Sequence, residues 1–175
     1  MSDPNPCEVF VLNQVLPTLE KMNDFVGHPG RYNSPAAIKL LTMIAAHESH
    51  FEHRVQIGGG PALSYYQIER ETLDDLYTSY LSFRPSAQDM LDGFMLGDDR
   101  YAELRDNDRY ATCVARLQLW RKPEPLPSFE DDEGLADYAK EHWNTQEGAA
   151  TPEKYLNDFV LFGPKPTFWE QLDSS

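Results

Sequence analysis

The sequence predicts a mainly α-helical domain with a short β-hairpin inserted after its second helix. Three observations carry this reading. Apolar residues recur at three- and four-residue steps in several separate stretches, the period of one helix face. The breaks between those stretches are rich in Pro and Gly but only a few residues long, which suits turns between packed helices better than linkers between domains. One stretch, 55–68, replaces that period with alternation around a glycine-rich turn. A chain of 175 residues suits one domain with a sizeable core. Residues 1–162 are expected to form that domain and 163–175 a C-terminal tail.

Leu12, Val15, Leu16, Leu19 and Met22 mark an amphipathic helix over roughly 6–26, broken by Gly27-His28-Pro29-Gly30. Ser34-Pro35 reads as an N-cap followed by proline at the first helical position, opening a helix that runs to about Ser49. Val55 and Ile57 alternate with polar residues before Gly58-Gly59-Gly60-Pro61, and the aromatic-rich stretch from Ala62 to Ile68 reads as the returning arm of the hairpin. Thr72-Leu73-Asp74-Asp75 resembles a capping box and is expected to open the third helix, which Pro85 ends. Ser86 is expected to cap the next helix, to about Met95. Residues 89–108 hold seven acids and two bases and read as a solvated face and loop. Tyr110, Cys113, Val114 and Leu117 form another helical stripe, ended by the prolines at 123, 125 and 127. Leu135, Tyr138, Ala139 and His142 form the next. Thr151-Pro152-Glu153 opens a helix carrying Tyr155, Leu156, Phe159 and Val160, which Gly163-Pro164 stops.

Charge and motif content exclude several functions. With 29 acidic and 15 basic residues the formal charge is −14, which opposes non-specific binding to nucleic-acid phosphates. No apolar run approaches the roughly 18 residues of a membrane span. Met1-Ser2-Asp3-Pro4-Asn5-Pro6 lacks a basic start and an apolar stretch, so no secretory signal is expected. Cys7 and Cys113 are isolated and read as reduced thiols. No P-loop, GxSxG or dinucleotide fingerprint is present.

The second helix carries one anomaly. Ala37, Leu41, Ile44 and Ala45 define its inward stripe, and the next position in that series is Glu48. An acid therefore stands where the pattern calls for an apolar residue, at the C-terminal end of a helix. Burial and the negative end of the helix dipole both disfavour its charged form and raise its pKa. A carboxylic acid still protonated near neutrality is what a glycosidase uses to protonate a leaving oxygen.

Glu48-Ser49-x-Phe51, followed by Gly60-Pro61-Ala62-Leu63-Ser64-Tyr65-Tyr66-Gln67-Ile68, resembles the lysozyme-like fold of goose-type lysozymes and soluble lytic transglycosylases. Gly58-Gly59-Gly60-Pro61-Ala62-Leu63, Ala115-Arg116, the run Pro123 to Pro127 and Trp143-Asn144-Thr145 also resemble lysozyme-like proteins of tailed phages. The resemblance spans roughly residues 35–160, and its specific part is 47–69. It implies a peptidoglycan-cleaving enzyme in which Glu48 is the general acid at the β-1,4 bond between N-acetylmuramic acid and N-acetylglucosamine. It sets Ser49 and Gln67 at the substrate cleft. Tyr65-Tyr66 stand where the family has Gly-Leu, implying a bulkier cleft floor. The expected partners are the glycan strands of bacterial peptidoglycan and other virion proteins. The expected location is a phage virion or the host cytoplasm, with action on the cell wall. No cofactor or metal is expected.

A hydrolase also needs a second carboxylate, about 5 Å away for a nucleophile or roughly 6.5–9.5 Å for a base that activates water. Glu69 is the first candidate; Glu71, Asp74 and Asp75 are the others. Lytic transglycosylases need none, because one Glu acts as acid and then as base. Tyr65, Tyr66, Trp120 and Trp143 are candidate sugar-stacking rings, and Arg116 and Asn144 candidate hydrogen-bonding partners for N-acetyl or lactyl groups. Two other readings compete. A lysozyme-like domain can serve as a structural or docking module without turnover. His47, His50 and His53 could also form a zinc cluster, although the spacing does not match HExxH.

Overall fold

The computed structural model describes residues 3–144 and 148–173. Among them are nine helical segments and no strand. Helix α1 covers residues 6–26. Asn5 caps it by accepting from Cys7 N and Glu8 N, a π turn interrupts it at Val11–Val15, and Gly27 closes it in the left-handed conformation (φ 63°). Helix α2 is Pro35–Ser49, and the Ser34 side chain accepts from Ala37 N at 3.1 Å, as the Ser-Pro signal requires. Helix α3 covers 70–83 with a π turn at Leu76–Tyr80. Then follow α4 (Pro85–Asp92), α5 (Arg100–Asp106), α6 (Asp108–Trp120), α7 (Asp132–His142), α8 (Pro152–Phe162) and α9 (Pro166–Asp173).

Helix α2 is the axis of the domain. Every residue from Ala37 to Ala46 is buried, the condition of a helix enclosed on all sides. It packs mainly on α8 and also against α7, α6 and α1. Its one buried lysine is satisfied: Lys39 Nζ donates to Phe129 O at 2.9 Å and Asp132 Oδ1 at 2.6 Å and lies over the Phe129 ring.

The β-hairpin expected at 55–68 is absent. Val55 pairs with Leu63, and Leu63 with Ile68, as single antiparallel bridges. A ladder needs consecutive extended residues on both arms. Here Gly58 and Gly59 (φ 84° and 80°), and then Ser64 and Gln67 (φ 71° and 50°), turn the backbone after each pairing. Specific bonds hold the resulting loop. Leu63 and Ile68 exchange both backbone hydrogen bonds at 2.8–2.9 Å, Ser64 N donates to Arg54 O at 2.8 Å, and Arg54 pairs with Asp108 on α6.

Four other stretches also differ from the sequence reading. Helix α3 begins at Arg70, two residues before Thr72, so the expected capping box is not used. Asp74 instead accepts from the Tyr101 hydroxyl, and Asp75 pairs with Arg121 at 2.8 Å. Arg84, not Ser86, holds the N-cap position of α4, which ends at Asp92. The acid-rich stretch contains α5, capped by Asp99. Its Glu103 is buried because Gly97 N and Asn107 Nδ2 both donate to it. The segment expected as a tail is helix α9, with Phe168 buried and Trp169 against Phe129. Among the described residues no helix is long and apolar enough to cross a membrane.

Candidate active site

Glu48 stands in the last turn of α2. The helix ends one residue later because Ser49 turns its hydroxyl back to Ala45 O (2.9 Å) and accepts from Phe51 N, while His50 and Phe51 adopt the left-handed conformation. Ser49 is thus a structural plug for the helix end, although it also lies at the edge of a surface cleft. Glu48 is half-buried. Burial pushes its carboxyl up from the ordinary 4.5 to about 7, against a smaller opposing pull from the Tyr155 hydroxyl. The negative end of α2 acts in the same direction as burial.

Tyr155, from α8, is fully buried beside this acid. Its hydroxyl lies near Glu48 and Asn144 and influences the ionisation of Glu48, but completes no hydrogen bond among the described residues. A buried hydroxyl in that state is costly unless a ligand or a small movement completes it. In sequence, Tyr155 is one apolar-stripe residue among several. Its signal is the hydroxyl itself, which a purely apolar stripe has no use for.

Two adjoining cleft lobes, of about 590 and 430 Å³, meet at Glu48, Gln67 and Glu69. The larger is walled by Glu71 and Thr72 of α3, Gln118 and Arg121 at the end of α6, and Trp143 and Asn144 after α7. His50, His53, Gln56 and Ile57 wall the smaller. The acid therefore lies midway along a trough that continues on both sides of it. Gln67 uses its amide nitrogen to hold Ser64 O and His53 O (2.7 and 3.2 Å), leaving its side-chain oxygen as the group a ligand can engage. Glu69 occupies the N-cap position of α3, without a capping bond from its side chain. A larger surface depression, about 880 Å³, lies elsewhere among Asp74, Asp92, Asp98, Asp99 and Arg100. Three of these acids are already engaged: Asp74 by Tyr101, Asp92 by Tyr77, and Asp99 in capping α5.

The trough thus gathers Glu48, Glu69, Ser49, Gln67 and Asn144 from the expected site, together with Trp143. It does not gather Tyr65, Tyr66, Arg116 or Trp120. Tyr65 is packed by Phe10 and Phe51 and covered by the Arg54 guanidinium at 4.3 Å. Tyr66 is fully buried, its hydroxyl 2.9 Å from Thr112 Oγ1. Arg116 is a core residue that donates to Tyr32 O at 2.9 Å, and burial pushes its pKa down to about 10. Trp120 stacks near Tyr32. The sequence could not separate these from ligand contacts, because a tyrosine or arginine pattern is the same whether its polar tip meets a sugar or a carbonyl of the core. Thr145 lies outside the described residues. Tyr66→Phe tests the reassignment: it should cost about 1 kcal/mol in denaturant unfolding, for the lost bond to Thr112.

The histidine triplet is not a metal cluster. His47 Nδ1 is 2.7 Å from Asp158, His50 stacks on Phe162 (3.9 Å, 11°), and His53 faces Glu52. No group of three His, Cys, Asp or Glu side chains suited to a metal occurs among the described residues. Comparisons with protein-family models, curated proteins and solved structures return no match.

Proposed function

We propose that the protein is a peptidoglycan-cleaving glycosidase, with Glu48 as general acid at the N-acetylmuramic acid–N-acetylglucosamine β-1,4 bond. The observation that carries this reading is a half-buried carboxyl, protonated to about pH 7, at the meeting point of two cleft lobes. A polymer lying along the trough places one linkage over the acid and sugar residues on both sides. Glu48 donates its proton to the bridging oxygen as the C1–O bond breaks. The carboxylate then accepts a proton from the attacking group. That group is water in a muramidase and the muramic acid 6-hydroxyl in a transglycosylase, which leaves a 1,6-anhydro end. Glu69, shared by both lobes, is the second carboxylate that the hydrolytic route would use.

The formal charge of −14 disfavours free diffusion over anionic walls and favours a virion component that acts where it is delivered. The second reading, a lysozyme-like docking module without turnover, draws on the missing hairpin. Mass spectrometry of material released from purified walls separates the outcomes. A 1,6-anhydro terminus identifies a transglycosylase and a reducing terminus a muramidase. No product from several wall types leaves the docking module.

A further inference from the structure

The sequence places three histidines around Glu48, and the proposed chemistry uses none of them. His47 and His50 both reach α8. Its Tyr155, Asp158 and Phe162, at three- and four-residue steps, present one helix face to the end of α2. The His47 ring lies over the Tyr155 ring, with centroids 4.2 Å apart and planes tilted by 40°. Its Nδ1 is fixed at 2.7 Å from Asp158 Oδ2, with 15% of the histidine and 23% of the aspartate side chain exposed. A carboxylate oxygen accepts, so Nδ1 carries the proton and the ring orientation is set.

We propose that Asp158 and His47 are positioning residues, a hydrogen-bonded clamp that holds the Tyr155 ring so that its hydroxyl stays beside the Glu48 carboxyl. The geometry supports this link by link. The aspartate fixes the imidazole, the imidazole bounds one face of the phenol ring, and the phenol carries the one buried hydroxyl near the acid that completes no hydrogen bond. His47 is the neighbour of Glu48 on α2, so the clamp also ties the acid's own helix turn to α8. The catalytic consequence rests on Glu48 being the acid of the proposed function; the positional claim does not.

The test is a carboxyl ¹³C NMR titration of the full chain, with the Glu48 signal assigned by its loss in Glu48→Gln. The Tyr155 hydroxyl favours the charged form of Glu48, so Tyr155→Phe should raise the Glu48 midpoint by about half a pH unit. Asp158→Ala, which removes the acceptor, should raise it in the same direction, because an unclamped ring no longer presents its hydroxyl. Simple Coulomb effects predict the opposite, since removing a nearby negative charge makes Glu48 easier to ionise. In the double variant the rise should not exceed that of Tyr155→Phe alone, the signature of two residues acting through one contact. His47→Gln is the second route to the same result if Asp158→Ala lowers stability. A midpoint that stays put or falls in Asp158→Ala, or effects that add in the double variant, overturn the clamp.

Turnover on purified walls supplies a separate reading, in which the clamp variants lower kcat and leave KM unchanged. Absence of wild-type turnover would count against the proposed function, while the titration would still decide the clamp.

Discussion

Glu48→Gln is expected to lower turnover on purified cell walls by about 10²–10⁴-fold, the range that one positioned general acid contributes. Glutamine keeps the size of the side chain and removes the transferable proton. Circular dichroism of the variant should match the wild type, because the carboxyl completes no hydrogen bond that the fold depends on. In the wild type, kcat/KM should fall as the pH rises through about 7, where the acid surrenders its proton. Retention of more than a tenth of wild-type turnover by the variant would remove Glu48 from the chemistry.

The same residue should tilt the stability of the protein with pH. In the fold Glu48 keeps its proton to about pH 7, against an ordinary value of 4.5 for the open chain. Between those values the folded state binds more protons than the unfolded state, so the free energy of unfolding falls as pH rises. The stability associated with the protonated group is fully present below about 4.5 and is lost as the pH climbs through about 7. The gap corresponds to about 3 kcal/mol, at roughly 1.4 kcal/mol per pH unit. Urea unfolding at pH 4.5 and pH 8 measures it. The wild type should lose about 3 kcal/mol more than Glu48→Gln over that interval. Equal losses would mean that the acid is not held in dry surroundings. Under the proposed function, the same side chain weakens the fold where it would serve as the acid, a common trade at functional sites.

Local chemistry made much of the frame legible. Ser34 and Thr151 cap their helices as their Ser-Pro and Thr-Pro pairs imply, with bonds to Ala37 N and Lys154 N. Glu48 stood out because a helix stripe has a fixed geometry, and an acid on it is forced inward. What escaped depends on partners that no helix period announces. Glu103 is buried because Gly97 N, in the preceding loop, and Asn107 Nδ2, one turn on, both donate to it. The aromatic run Tyr65-Tyr66 looked like a sugar platform, but its two side chains are claimed by Phe10 and Thr112, residues more than 40 positions away. The single bridges at Leu63 arise from left-handed turns at Ser64 and Gln67, residues whose type does not demand that conformation.

The loop from 51 to 69 forms one wall of the trough, and its ties to α6 have a thermodynamic consequence. Arg54 is locked to Asp108 and Tyr66 to Thr112, so this wall acquires its shape while the chain folds. For the saccharide of the proposed function, little loop freedom would be left to freeze out. More of its contact free energy would appear as affinity, and capture would approach a rigid-body event whose rate follows diffusion and orientation.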